Sequence, residues 1–566
     1  MNLAPSLAEL GARARAHALL DQGSGRELVG PLAGLMSPHL LAQQVVPQSD
    51  DGVVVVRGFL AGRPTLVMAI EGRFQGGGLG EVGGAKILAA LSQVLASNQA
   101  GQALYPVLLL DTGGVRLQEA NYGLLVVSEI QDLLIALRAL VPVIGVVPGP
   151  IGCFGGLAIT AALATYLIGT PLARMGLNGP EVIEQEAGVR EFDAADRALI
   201  WHSLGLTQRV ATGLVDELVN DDVGQIKQAI AAAMAVPVGE RPLRSRRYDE
   251  YLAGLAALDL SQRFTPEGYR EAYQQHQTRP RLDPVVLPLA QSQPETRGDQ
   301  GRGQRWFGLL TKMLNPYAPG DVGSVLVTDA PVANTELLGR YIAVVANANS
   351  RFARARAGEV GLQEGYALAH YVHAAIVADS DQAHKRPIIL VVDVPSQAFG
   401  YHEELMGLHL SLAASVDACA TARRQGHAVI AVLVGQAISG AFLALGLQSN
   451  RILALRGEGV QVQAMSLASA ARVTQRSVAA VKMASAKVPA MAYDVDSFSQ
   501  LGGVYHLIEG VAADSPSVED VAVVETAIVA ALVSLQDLPP DFAVRHEGKG
   551  RAATRAVRQQ LLAEWT

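Results

Sequence analysis

The stretch VIGVVPGPIGCFGGLA, Val143 to Ala158, has a counterpart later in the chain, VIAVLVGQAISGAFLA, Val429 to Ala444. Each starts as a run of β-branched residues that reads as a buried strand, and each ends in small residues that open a helix. Outward from this pair the correspondence continues. PVLLLDTGG from Pro106 parallels PIILVVDVPS from Pro387. Gly80-Glu81-Val82-Gly83 recurs as Gly358-Glu359-Val360-Gly361, in both cases after an apolar strand pattern (TLVMAIEGRF, IAVVANANSRF) and before a helical one. Three ordered matches at a period of about 280 residues imply an internal duplication. Within each copy the order strand, helix, strand, helix, strand, glycine turn, helix predicts βαβ crossovers and largely parallel sheets, an α/β protein.

The 566 residues are too many for one core, which fits two halves. RPRLDPVVLPLAQSQPETRGDQGRGQ, Arg279 to Gln304, has no periodicity and reads as the linker, giving domains at 1–278 and 305–566. The segments before residue 50 and after residue 540 read as helical and peripheral. A net charge of -8 offers no basic footprint for nucleic acid. Two cysteines, Cys153 and Cys419, and an N-terminus without a signal-peptide pattern lead us to expect a cytoplasmic protein without disulfides.

Ala139 to Ala173 carries no charge and Ala428 to Asn450 is similar, lengths that could cross a bilayer. Pro142, Pro148, Gly149 and Pro150 break such a helix, so strand, turn and buried helix is the better parse, with no membrane partner. Gly78 to Gly83 satisfies GxGxxG, but its repeat keeps only GEVG and no acidic residue follows at the spacing a ribose contact needs; a tight backbone turn is the better reading. Ala480-Val481-Lys482-Met483 resembles a biotin attachment site, yet its alanine-rich surroundings have helical spacing. No HExxH, paired-cysteine or clustered-histidine pattern suggests a metal.

The turns at the strand ends carry the chemistry. Gly113 and Gly114 lie beside the Gly155-Gly156 turn, and Ser396 and Gln397 beside Gly440 and Ala441. Small residues allow a substrate to approach the backbone, and the free N–H groups of a following helix attract an anionic oxygen.

GRPTLVMAIEGRFQGGGLGEVGGAKI, LLLDTGGVRLQEA and VPVIGVVPGPIGCFGG resemble the N-terminal half of the acyl-CoA carboxyltransferase family, and ARARAHALLDQGS its opening helix. DVPSQAFGYHEELMG and VGQAISGAFLALG resemble the second half of that family. Within it, GCFGG resembles malonate decarboxylase β subunits, and VPSQAFG, SGAFLALG, AARVTQR and PAMAYDV resemble the γ subunits, over roughly residues 10–240 and 305–510. Ser466-Leu467 departs from the Gly-Lys usual in γ subunits, as does the fusion itself.

The resemblance implies two tandem crotonase-like (ββα-superhelix) carboxyltransferase domains. It also implies biotin-independent loss of CO2 from a malonyl thioester, leaving an acetyl thioester. The substrate would ride on the phosphopantetheine-type thiol of an acyl-carrier subunit, with no cofactor bound directly. An α-type acyl-carrier transferase subunit and homo-oligomerisation are further expectations. Gly113, Gly114, Gly155 and Gly156 are assigned by the resemblance to the thioester oxygen, and Ser396, Gln397, Gly440 and Ala441 to the departing carboxylate. Tyr401, His402 and Glu403 are candidate proton donors. Carboxyl transfer to a biotin carrier and an inactive carrier-docking scaffold are the alternatives.

Overall fold

In the first half, the runs Val53–Leu60 and Arg63–Ile70 fold back on each other as an antiparallel hairpin across Ala61-Gly62. From there the sheet continues in parallel through Tyr105–Leu109, Ile144–Val147, Tyr166–Gly169 and the short Glu217–Leu218, with Arg26–Leu28 on the opposite edge. Val53 to Val56 are all buried, the signature of a strand covered on both faces. The computed structural model describes residues 5–277, 286–293, 301–319, 323–536 and 538–565.

The second half repeats the plan. Val325–Pro331 and Leu338–Val344 form the hairpin, and Ile388–Val394, Val429–Ile438, Arg451–Leu455 and His506–Ile508 extend it in parallel. The chain is thus two tandem crotonase-like α/β domains, and the duplication extends to details. The expected GEVG match is corrected: Gly80 precedes the helix Glu81–Gln99 as Gly361, not Gly358, precedes the helix Leu362–Ala378, so the two GEVG runs lie three residues out of register. Isolated bridges join Leu79 to Val115 and Val360 to Gln397, so Gln397 occupies the place of Val115. Asp111 and Asp393, each at the strand end after the first crossover, accept from a backbone N–H of the next strand-to-helix segment, at Gly152 in the turn (3.3 Å) and at Gln436 near the end of the strand Val429–Ile438 (3.0 Å).

The uncharged stretches resolve as strand, turn and short helix, Ile144–Val147 with Gly156–Ala162 and Val429–Ile438 with Ser439–Ala444. One helix, Leu117–Leu137 with its first turn, is long and apolar enough to span a bilayer, and 89% of its apolar window is buried in the protein. The GxGxxG turn is closed to phosphate: Glu119 accepts from the N–H of Glu81 and Asp51 from that of Gly83, so carboxylates already occupy the positive helix end. Lys482 lies in the helix Val478–Lys487.

Most of the expected linker lies outside the described residues, and the helix Arg302–Thr311 begins within it. The expectation of peripheral ends is corrected. Arg15, from the helix Ala12–Leu19, is buried against Asp111 at 2.7 Å. The last helix, Ala552–Glu564, returns to the first half, where Thr554 donates to Glu81 and Arg551 makes a two-pronged pair with Glu129 at 2.8 and 3.0 Å. A further buried pair across the halves, Arg423 with Asp132 at 2.8 Å, adds to this seam. Breaking any one of these pairs should cost about 3–5 kcal/mol, because it strands a buried charge.

Candidate active site

The two strand-to-helix turns face one cavity of about 680 Å³ between the halves. From the first half Gly113, Gly155 and Gly156 line it; from the second, Ser396, Gln397 and Gly440. Gly114 and Ala441 do not. Gly114 (φ +116°) supports the wall instead: a Cβ there would lie 3.3 Å from the Cα of Gly155, itself at φ +62°, so the close approach of the two segments requires glycine. Ala441 is fully buried.

The donors of the two turns are not equally available. The N–H of Gly155 donates to the Leu177 carbonyl at 2.9 Å, that of Gly113 to Gly76 at 2.8 Å, and that of Gly114 to the Thr112 hydroxyl at 3.0 Å. Gly440 N–H donates to Gln397 Oε1 at 3.0 Å. By contrast, Gly156 and Leu157 are the first two residues of the helix Gly156–Ala162, and their N–H groups have no partner among the described residues. Four of the five expected glycines therefore shape the site, while Gly156, which lines the cavity, keeps a free N–H, as does its unforeseen neighbour Leu157 in the same helix turn.

The cavity is poor in titratable groups. Of its lining residues only Arg116 and Glu186 are ionisable. Arg116 is held by Asp51 (2.7 Å) and Glu119 (2.6 Å), so its charge is already compensated. Glu186 stands at the mouth on the helix Pro180–Ala187, and partial burial raises its carboxyl above the usual range. Cys153, within the first turn, is no nucleophile because burial pushes its thiol up.

None of the expected proton donors lines the cavity. The short helix Tyr401–Leu405 carries them to its far side: Tyr401 donates to the Phe264 carbonyl at 3.0 Å, and His402 Nε2 accepts from the Phe264 N–H at 3.2 Å. Glu403 is buried and its carboxyl is pushed up to about 8, chiefly by desolvation. The neighbouring Glu404 is the residue that serves the site. It accepts from the N–H groups of Leu177 (3.0 Å) and Asn178 (2.6 Å), and Leu177 in turn holds Gly155.

Asn178 closes the circuit by accepting from Gln397 Nε2 at 2.7 Å while donating to the Ala398 carbonyl at 3.0 Å. One hydrogen-bonded chain thus joins both turns across the halves: Gly155, Leu177, Glu404, Asn178, Gln397, Gly440. Asn178 and Glu404 carried no sequence signal beyond a turn before Pro180 and a pair of adjacent glutamates. Ser439, also lining the cavity, adopts φ +58° immediately before Gly440, a conformation costly for a residue with a Cβ. Ser466, the departure from the γ pattern, also lines the cavity and caps the helix Leu467–Val473 by accepting from the Ser469 N–H at 3.2 Å.

With this geometry in place, comparison with known proteins is informative. Residues 355–565 match the family model for the malonate decarboxylase gamma subunit. The malonyl-S-ACP:biotin-protein carboxyltransferase MADC of Malonomonas rubra is 36% identical over 245 residues, 42% of this chain and 77% of that protein. MADD of the same organism is 41% identical over 166 residues, 29% of this chain and 57% of that protein. A Pseudomonas malonate decarboxylase hetero-tetramer solved in complex with malonate contains a chain that is 50% identical, with a TM-score of 0.47, covering 48% of this chain and 98% of that one. The chain therefore belongs to the malonate decarboxylase subunits of the acyl-CoA carboxyltransferase family, with a beta-like and a gamma-like half joined in one polypeptide.

Proposed function

We propose that the chain removes CO2 from a malonyl thioester carried by an acyl-carrier subunit, without biotin, and releases the acetyl thioester. The observation that carries this reading is the cavity's inventory. It has the unpaired backbone donor of Gly156, with that of Leu157 next to it in the helix, a single available carboxyl, and no cysteine or lysine among its lining residues. Cleaving the bond to the carboxylate leaves its electron pair on the neighbouring carbon, and the thioester carbonyl accepts that pair as an enolate oxygen. Two fixed N–H donors on that oxygen lower the barrier by about 3 kcal/mol each. Glu186 then supplies the proton, directly or through a water. Free malonate lacks such an acceptor, so the activation comes from the thioester, and charging the carrier falls to partner subunits. We place the reaction in the cytoplasm.

The names of MADC and MADD favour a second reading, transfer of the malonyl carboxyl to a biotin carrier. The test is CO2 release from purified chain given a malonyl thioester, with and without a biotinylated carrier or avidin. Release that is indifferent to both supports decarboxylation. Turnover that requires the biotin carrier selects transfer, and rapid release from free malonate overturns the thioester mechanism.

A further inference from the structure

From Gly459 to Tyr493 the sequence contains no acidic residue but four cations, Arg472, Arg476, Lys482 and Lys487, in a chain whose net charge is -8. The structure folds this segment beside the mouth of the cavity. Ser466, Ser469 and Thr474 line the cavity, and the helices Leu467–Val473 and Val478–Lys487 pair through a small core of Ala470, Ala471 and Val481, separate from the main core. The outward face of the second helix has the spacing of a docking stripe, with Ala479, Lys482, Met483 and Ala486 all exposed, and Met483 63% exposed. Val478, one turn before Lys482, is 49% exposed.

The helix packed against Leu467–Val473 has the other sign. The helix Pro180–Ala187 carries Glu181, Glu184 and Glu186 and no cation, and Arg472 reaches across to Glu184 at 3.7 Å. The mouth is therefore polar from side to side. An acidic partner is drawn to one rim and repelled from the other, which fixes its orientation as well as its position.

We propose that the outer face of Val478–Lys487 is the docking surface for an acidic acyl-carrier protein, which seats an acidic helix there and threads its thioester arm past Ser469 and Thr474 into the cavity. This rests on the thioester reading above. It identifies the carrier by charge and by access: Lys482 on this face and Arg476 just before the helix adjoin the opening, the apolar residues of the face suit a helix contact, and a tethered arm needs its carrier at the rim.

The test uses the full chain and the double variant Arg476→Glu/Lys482→Glu, with three substrates: an acidic acyl carrier protein loaded with malonyl-phosphopantetheine, malonyl-CoA, and uncharged malonyl-pantetheine. KM for the loaded carrier should rise about tenfold at low ionic strength and converge on wild type in high salt. Turnover of malonyl-pantetheine should stay within about twofold, which also reports an intact fold. An unchanged KM for the carrier overturns the proposal, as does a loss confined to malonyl-CoA, which would make the face a nucleotide site. If wild type turns over none of the three, the thioester reading has failed. Binding of the unloaded carrier then decides separately, a tenfold weaker complex with the variant upholding the surface and equal binding refuting it.

Discussion

The two strand-to-helix turns occupy the same place in two copies of one fold, yet they are finished differently. In the first, Gly155 takes the strained position and the helix presents the N–H groups of Gly156 and Leu157 with no partner among the described residues. In the second, a serine, Ser439, takes a left-handed conformation, and the next N–H, from Gly440, is already satisfied by Gln397. Gln397 sits where the first half has Val115, so replacing an apolar residue by an amide has turned an open donor site into a bridged one. The lesson is a division of labour. In the proposed reaction the first turn would hold developing charge, while the second is tied through Asn178 to the segment that holds the first.

The sharpest way to break this comparison is Gly156→Pro, which deletes a donor at a helix position that tolerates proline. We expect kcat to fall 100-fold or more, on the order of one lost oxyanion donor, with the protein still folded by circular dichroism. Activity within a few-fold of wild type would remove the first turn from the chemistry.

Glu186→Gln should lower turnover at neutral pH by about 100-fold, the usual size of a general-acid effect. Only the protonated carboxyl can donate, and its pKa is raised by burial. Wild-type kcat should therefore decline as pH rises through that raised value, and the variant should lose this limb. A variant that keeps the same pH profile would assign the proton to another group.

Gln397→Ala tests the bracing role. It frees the Gly440 N–H but cuts the link to Asn178, and loss of about one hydrogen bond predicts a tenfold lower kcat with KM nearly unchanged. The Asn178→Ala/Gln397→Ala double variant should be no worse than either single one; additive losses would show that the two residues act independently.

Smallest are the effects at the residues that point away. Tyr401→Phe should leave kcat within about twofold. Glu403→Gln should act on stability alone. Its carboxyl stays protonated in the folded chain up to about 8, whereas in the unfolded chain it ionises near the ordinary 4.5. Over that window the folded state holds a proton the unfolded state has released, so wild-type stability falls as pH rises and is flat with respect to this group above it. The variant should therefore gain Tm relative to wild type between pH 5 and pH 8, and a constant difference would show that Glu403 is ionised when folded.

The sequence by itself determined the duplication, the parallel sheets, the buried nature of the uncharged stretches and the positions of both turns. These follow from periodicity and from local residue preferences, which act over a few residues and are written in order along the chain. Of the eight turn residues singled out with the help of the family resemblance, the structure brings Gly113, Gly155, Gly156, Ser396, Gln397 and Gly440 to one cavity and leaves Gly114 and Ala441 behind its wall. Only the tertiary structure decided which of their N–H groups remain free, because the competing acceptors come from elsewhere: Leu177 for Gly155, Gly76 for Gly113. For the same reason it placed Glu186 at the cavity and Tyr401, His402 and Glu403 away from it, and turned the peripheral-looking ends into struts, Arg15 on Asp111 and Arg551 on Glu129. Hydrogen bonds and ion pairs between residues hundreds of positions apart depend on where the folded chain brings them, and no local pattern records that distance.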